Sequence, residues 1–320
     1  MRIAVDLLGG DDSPAVVVDG ALRSCGADPD LSLLLVGPRP VADEVITRLD
    51  PAMRFRVQCR PADRAVSMSD PASRGADQGT SIGTCLAELA AGGVDAVVSA
   101  GASGATVAAA VLALGRTEGV RRPALAAILP GVNGPLVLLD VGAGMQVRPV
   151  DLVQHAVLGA AYAHHAAGRP QPRVGLLSVG SEPGKGDRLR RAADAALRLQ
   201  QLGGGASYVG PVEGSDVVTG QRADVVVTDG FTGNVLLKGV EAALAAAPGS
   251  FPPTAVPRAA ALLGVAGTVV VCHGAADGED IASGIALAAD LVRRQVIASV
   301  SNLSGADPVP PDPSLVEVSP

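Results

Sequence analysis

The chain has 320 residues, enough for one large domain or two closely joined ones, and 48% of them are hydrophobic but only 2% aromatic, so Ala and Val must build the core. A net charge of −7, with no basic run and no aromatic-basic interleaving, excludes nonspecific nucleic-acid binding. The four cysteines, Cys25, Cys59, Cys85 and Cys272, lie far apart without paired spacing. That pattern disfavours a metal site or a disulfide framework and fits a reduced cytosol; no metal and no cofactor are expected. The opening MRIAVDLLGGDDSP is too short and too quickly acidic to read as a signal peptide. Every apolar stretch is broken before membrane-spanning length, so a cytoplasmic protein is expected.

In chain order, Arg2–Leu8 reads as a strand, and Ser13 as the N-cap of a helix over Ala15–Cys25 with Pro14 at its first position. A strand over Leu31–Val36, a helix over Val41–Leu49 and a strand over Phe55–Cys59 follow. Arg60–Gln78 has no apolar period and reads as a long loop, of a kind that is usually functional or mobile, before a helix over Thr80–Ala91. Asp95–Ser99 is a buried strand running into a glycine turn and an Ala/Val-rich helix to Leu114. Ala124–Leu129 and Leu136–Val141 are spaced as a hairpin, which makes the sheet mixed rather than purely parallel. A helix spans Val150–Ala167, and its His155, together with His164 and His165, reads as packing or surface.

Arg173–Ser178 is a strand that opens into a Gly-Lys-Gly turn, Gly184-Lys185-Gly186, ahead of a charged helix over Arg188–Gln201. Such turns cradle anions with exposed amides and a mobile ammonium. This one is not a Walker A loop, because Gly follows Lys185. Tyr208–Gly220 reads as a loop. Ala223–Lys238 packs a strand, a tight turn and a helix start into sixteen residues, with Asp229 and Asn234 at the mouth. Two readings stand there: an anion site at the helix amides, or an Asp that only caps the helix. Thr268–Cys272 is the last strand, a helix runs over Glu279–Val300, and 305–320 is a Pro-rich tail expected to be disordered.

Five strand ends thus carry Gly with Ser, Asp, Lys, Asn or His, and no dinucleotide fingerprint or nucleophile elbow accompanies them. The residues alone describe an α/β protein with an anion-friendly cleft and Lys185 as its foremost chemical group. Asp11, Ser103, Gly104, Gly186, Asp229, Thr232, Gly233 and His273 are the candidate substrate- and phosphate-binding set. Cys272 and His273 are sequence neighbours, and adjacent strand residues point to opposite faces, which argues against a dyad.

Several blocks carry a family resemblance: LLDVGA at Leu138–Ala143, VGLLSVGSEPGKG at Val174–Gly186, DGFTGNVLLK at Asp229–Lys238, and LLGVAG with HG within Leu262–Gly274. RPALAAILP at Arg122–Pro130 and SAGASGA at Ser99–Ala105 add to it. With these in this order, the chain resembles the phosphate acyltransferase family of bacterial phospholipid synthesis, called PlsX, from Arg2 to about Val300. The resemblance implies a three-layer α/β/α sandwich with a mixed, mostly parallel sheet, like isocitrate dehydrogenase and phosphate acetyltransferase. Residues 1–304 would form one domain of two joined subdomains with the cleft between them, and the protein would be a homodimer. The implied reaction converts acyl–acyl carrier protein and inorganic phosphate to acyl phosphate and free carrier protein, with no metal or nicotinamide. The resemblance places Lys185 and Asn234 in the catalytic roles.

Departures accompany it. The usual SAGNTGA has Ala102 for its Asn, the usual VGAN and its following acid read Gly144 and Gln146, and the usual HGSSD reads with Ala275 and Ala276. A lysine usual near Gln78 is missing, with Arg74, Thr80 and Ser81 remaining. Each lost hydrogen bond to a charged group is worth roughly 1.5–3 kcal/mol. The losses leave two further readings open: an acyltransferase using another thioester, such as a coenzyme A ester, or another acceptor, and a silent carrier-protein-binding scaffold. The segment Leu244–Ala261 is short and holds Pro248, Pro252, Pro253 and Pro257, where relatives carry a long helical hairpin used for dimer and membrane-surface contacts. Weak or no membrane association is expected. The basic set Arg188, Arg190, Arg191 and Arg198 reads either as a carrier docking patch or as a solvated helix face.

Overall fold

A computed structural model describes residues 1–66, 75, 77, 79–182, 184–246, 258–303 and 308–309. The elements in order are β1 (Arg2–Asp6), α1 (Ala15–Ala27), β2 (Ser32–Gly37), α2 (Arg39–Arg48), β3 (Val57–Pro61), α3 (Ser81–Ala90), β4 (Ala96–Ser99), α4 (Ser103–Leu114) and β5 (Arg116–Thr117). Then come β6 (Ala124–Gly131), β7 (Gly134–Leu139), α5 (Pro149–His165), β8 (Arg173–Leu177), α6 (Arg188–Leu197), β9 (Ser207–Val212), α7 (Gly214–Thr219), β10 (Val225–Val227) and α8 (Gly230–Ala246). The last are β11 (Ala259–Leu263), β12 (Thr268–Cys272), α9 (Gly278–Arg293), α10 (Val296–Leu303) and β13 (Pro308–Val309).

The chain divides into two compact units. The first holds Met1–Arg116, Val265–Gln295 and Pro308–Pro320. Its strands lie in the order β3-β2-β1-β4-β12, and every pairing is parallel. Ile3, Ala4, Val97, Val98, Val269 and Val270 are fully buried, as continuous apolar runs in a covered parallel sheet should be. The second unit holds Thr117–Gly264 and Val296–Asp307. Its order is β11-β6-β7-β10-β8-β9. The β11–β6 and β6–β7 pairings are antiparallel and the other three parallel. The fold class is therefore α/β, with a mixed, mostly parallel sheet and helices on both faces. In the second unit α5 lies close against β7 and β10. A Cβ at Gly159 would stand 2.7 Å from a Leu139 methyl and 2.8 Å from a Val225 methyl.

Several local readings change. The predicted loop at Tyr208–Gly220 is β9 followed by α7. Gly210 and Pro211 interrupt its apolar pattern, but β9 is an edge strand, where a missing donor is tolerated. Ser13 does not cap α1; its hydroxyl donates to the Gly10 carbonyl at 2.9 Å, and Pro14 occupies the cap position. The single closing helix is two, α9 and α10, separated at Gln295, whose φ of 52° is left-handed. β11 lies where no strand was predicted. In the tail, Pro308–Val309 pairs with β5. Arg74, Gln78, the four prolines at 248, 252, 253 and 257, and the rest of 305–320 lie outside the described residues.

Among the described residues no helix is long and apolar enough to cross a membrane. The close approach at Gly159 gives a test. Gly159→Ala is expected to cost roughly 1–3 kcal/mol by overpacking. Urea unfolding reads this as a lower midpoint with an unchanged slope.

Candidate active site

The second unit's site begins one residue past β7. Asp140 is fully buried, and a buried charge survives only when it is fully hydrogen-bonded. Its Oδ1 accepts from the backbone amides of Leu125 at 3.0 Å, Gly142 at 3.0 Å and Ala143 at 2.8 Å. Its Oδ2 accepts from Gly144 at 2.6 Å. The turn after β7 is thus wound around one carboxylate. The Gly144 carbonyl then accepts from the amide of Gly230, the first residue of α8, at 2.8 Å. The backbone of Gly144 thus makes both links. α8 comes so near that a Cβ on Gly233 would stand 1.9 Å from the Asp140 carbonyl oxygen. Asn234 turns to the same side and donates from Nδ2 to the Val141 carbonyl at 3.0 Å.

The helix begins at Gly230, so Phe231–Asn234 is its first turn and not a separate loop. Asp229 takes the capping role. Its Oδ1 accepts from the Thr232 amide at 2.9 Å, and its Oδ2 from the Thr232 hydroxyl at 2.8 Å. It also forms an ion pair with Arg190, and the two side chains are only 10% and 13% exposed. Arg190 reaches Asp187 as well, at 2.7 Å, the Leu177 carbonyl at 3.2 Å and the Thr232 hydroxyl at 3.1 Å. Burial pushes the Asp229 carboxyl up, but the hydrogen bonds from Thr232 and the Arg190 guanidinium outweigh it and hold the group below its ordinary value. Arg190 therefore does not belong to an exposed basic patch. Its helical spacing gives no hint of a buried acid two strands later in the chain; the pairing is a tertiary one.

The Gly-Lys-Gly turn leads into the same helix. Gly184 and Gly186 have φ of 85° and 91°, a region that favours glycine. The Lys185 amide donates to the Glu182 carbonyl at 3.2 Å, and its side chain is exposed. Asp187 caps α6 by accepting from the Arg190 amide at 2.8 Å. The second unit accordingly holds Lys185, Gly186, Asp229, Thr232, Gly233 and Asn234. Asp229 and Thr232 face α6, while Gly233 and Asn234 face the turn after β7.

The other predicted residues belong to the first unit. The Asp11 amide donates to the Gly274 carbonyl at 2.8 Å, which brings the turns after β1 and β12 together. His273 is exposed, and its Nδ1 accepts from the Ala275 amide at 3.2 Å. Ser103 and Gly104 open α4, whose N-cap Ala102 supplies no side-chain hydrogen bond. Below these turns Asp6 accepts from the Ser99 hydroxyl at 2.7 Å and the Leu8 amide at 3.1 Å. Burial raises its carboxyl above the ordinary range despite these bonds and one from Ser81. Thr80 caps α3, accepting from the Gly83 amide at 3.1 Å. Burial pushes the Cys272 thiol up to about 12, so it is no activated nucleophile beside His273. His155 is buried in the second unit, with Nε2 3.3 Å from the Arg122 carbonyl oxygen.

Strand-end glycine turns on a mixed, mostly parallel sheet define the class: an α/β fold shared with the phosphotransacylases. A phosphotransacetylase from Streptococcus pyogenes matches with a TM-score of 0.63 at 16% identity, covering 92% of this chain and 94% of that one. A branched-chain phosphotransacylase from Enterococcus faecalis V583 matches with a TM-score of 0.56 at 16% identity, covering 91% and 99%. The family model described as fatty acid synthesis protein matches residues 1–248. A phosphate acyltransferase of Bacillus thuringiensis (strain Al Hakam) is 35% identical over 97% of this chain and 100% of the relative. Another, of Anaeromyxobacter sp. (strain K), is 43% identical over 75% of this chain, and the match spans 65% of that relative's length. The chain belongs to the fatty acid synthesis protein family, PlsX.

The Arg190–Asp229 pair carries a stability test. Because the folded Asp229 carboxyl titrates below its ordinary 3.8, its stabilisation is complete above that pH and is lost as pH falls through the lower folded value. Arg190→Met leaves a buried carboxylate unpaired and is expected to cost about 3–5 kcal/mol at neutral pH. Urea unfolding across the acid range should show the gap between wild type and Arg190→Met closing below pH 3.8. A gap independent of pH would contradict the pairing.

Proposed function

We propose that this protein is a phosphate acyltransferase that moves an acyl group from the thioester of an acyl carrier protein to inorganic phosphate. The observation that carries the reading is the 35% identity over 97% of the chain to a phosphate acyltransferase, with the Gly-Lys-Gly turn and the DGFTGN helix start both kept. A phosphate oxygen attacks the thioester carbonyl, the carbon–sulfur bond breaks, and the thiolate leaves with the proton that phosphate brings. Phosphate is a weak nucleophile, so positioning supplies much of the rate. The Lys185 ammonium neutralises phosphate and steadies the developing oxyanion. Asn234 has a second amide hydrogen beyond the one given to Val141, and that hydrogen is its contribution to the oxyanion. The Gly186 amide completes the cradle, whereas the Gly233 amide is already given to the Asp229 carbonyl at 2.9 Å, and Asp229 and Thr232 hold the helix start beside it. On the first unit Asp11, Ser103, Gly104 and His273 are the proposed substrate contacts. A homodimer and a cytoplasmic setting in lipid synthesis belong to the same proposal, with the family relation as their support.

The alanines at 102, 275 and 276 favour one second reading, a changed acyl carrier such as coenzyme A. Acyl phosphate trapped with hydroxylamine separates the possibilities. Wild type is expected to release it from acyl–acyl carrier protein only when phosphate is present. Lys185→Ala should reduce turnover by about 100-fold or more, the usual cost of removing one oxyanion-stabilising group. Turnover with acyl–coenzyme A alone would select the second reading, and none with either thioester would defeat both.

A further inference from the structure

An apolar groove of about 490 Å³ lies in the second unit, between the N-terminal half of α8 and the turn that leads into α6. Its walls include Leu177, Val179, Phe231, Val235 and Leu236, and Gly186 and Thr232 also line it. Three of the wall residues are large apolar side chains left in water: Val179 is 82% exposed, Phe231 64% and Val235 58%. Isolated exposed apolar residues need no explanation, but several converging on one concave surface do. Among the polar side chains of the lining, Arg190 already holds Asp187 and Thr232 within hydrogen-bond distance. The Ser178 hydroxyl also lines the groove and is buried without a hydrogen-bond partner among the described residues, so a mostly apolar lining carries one open polar group. Gly186 and Thr232 belong both to this lining and to the site described above.

We infer that this groove holds the hydrocarbon chain of the acyl substrate, with the reacting carbonyl beside Gly186. The inference rests on the acyl-transfer reading for the identity of the ligand, and on the groove's own lining for its apolar character. A volume of this size is ordinary for a small-molecule site. Chain length is then selected by how much of the alkyl tail the Val179, Phe231 and Val235 walls cover.

The test measures binding without turnover. Octanoate, decanoate and dodecanoate, kept below micelle-forming concentrations, are titrated into the full chain by calorimetry. Affinity should rise about fourfold for each buried methylene, the equivalent of ~0.8 kcal/mol. Val179→Asp and Val235→Asp place charge in the walls at exposed positions, so their thermal midpoints should stay near wild type, and they should cut that step below about twofold. Affinity that does not depend on chain length, or a dependence that both variants keep, overturns the inference. A wild-type dimer that Val235→Asp splits, with no chain-length dependence, assigns the face to a second copy and also overturns it. A chain-length dependence lost in both variants supports the groove even where no acyl phosphate forms, in which case the transfer reading fails alone.

Discussion

The second unit depends on one buried carboxylate. Asp140 gives up hydration at the end of β7 and is repaid by the amides of Leu125, Gly142, Ala143 and Gly144. A charge in that position fixes a turn that would otherwise be a flexible run of glycine and alanine, because each amide left unpaired would strand both itself and the carboxylate. The turn then fixes α8. Gly144 accepts from the Gly230 amide, and the side chain of Asn234 reaches the Val141 carbonyl. Gly233 is required because no Cβ fits against the Asp140 carbonyl. The GFTGN stretch is accordingly a helix start shaped to lie on a carboxylate-centred turn.

A second tie fastens the other side of the same helix start. Asp229 caps α8 and pairs with Arg190 on α6, and Arg190 also holds Asp187, the cap of that helix. The two helix N-termini are thereby joined through one guanidinium, whose planar fork suits several simultaneous acceptors. The charge of Arg190 is compensated by these two carboxylates. The Lys185 side chain, on the turn that enters α6, is exposed. The arginine thus organises the helix ends, and the chemical charge in the proposed reaction is that of the exposed lysine.

Much of this was legible in the sequence. Short β-branched and aliphatic runs marked β1, β4, β7, β8, β10 and β12, and the spacing of Ala124–Leu129 against Leu136–Val141 marked the antiparallel hairpin. The Gly-Lys-Gly turn and the Asp229–Asn234 motif marked where a strand end meets a helix. What escaped has a common cause, in that tertiary partners decided it. β9 is held by β8 despite Gly210 and Pro211, and β11 by the antiparallel edge of β6. Asp140 stood within a quoted motif, yet its role depends on four amides, one of them fifteen residues upstream. Arg190 looked like one of four surface arginines, and nothing in its own helix reveals Asp229. A strand-end Asp followed directly by a glycine turn was the one local signal that pointed to Asp140.

Acyl transfer to phosphate is the claim on which the functional account stands, and its most direct test follows the oxygen atoms. The protein is supplied with acyl–acyl carrier protein and phosphate labelled with heavy oxygen in every position, and the product is weighed by mass spectrometry. If a phosphate oxygen attacks the carbonyl, the acyl phosphate retains every labelled oxygen and carrier thiol appears in equal amount. Release of carrier thiol without phosphate, yielding only unlabelled fatty acid, would contradict the account and make the protein a thioesterase on this scaffold.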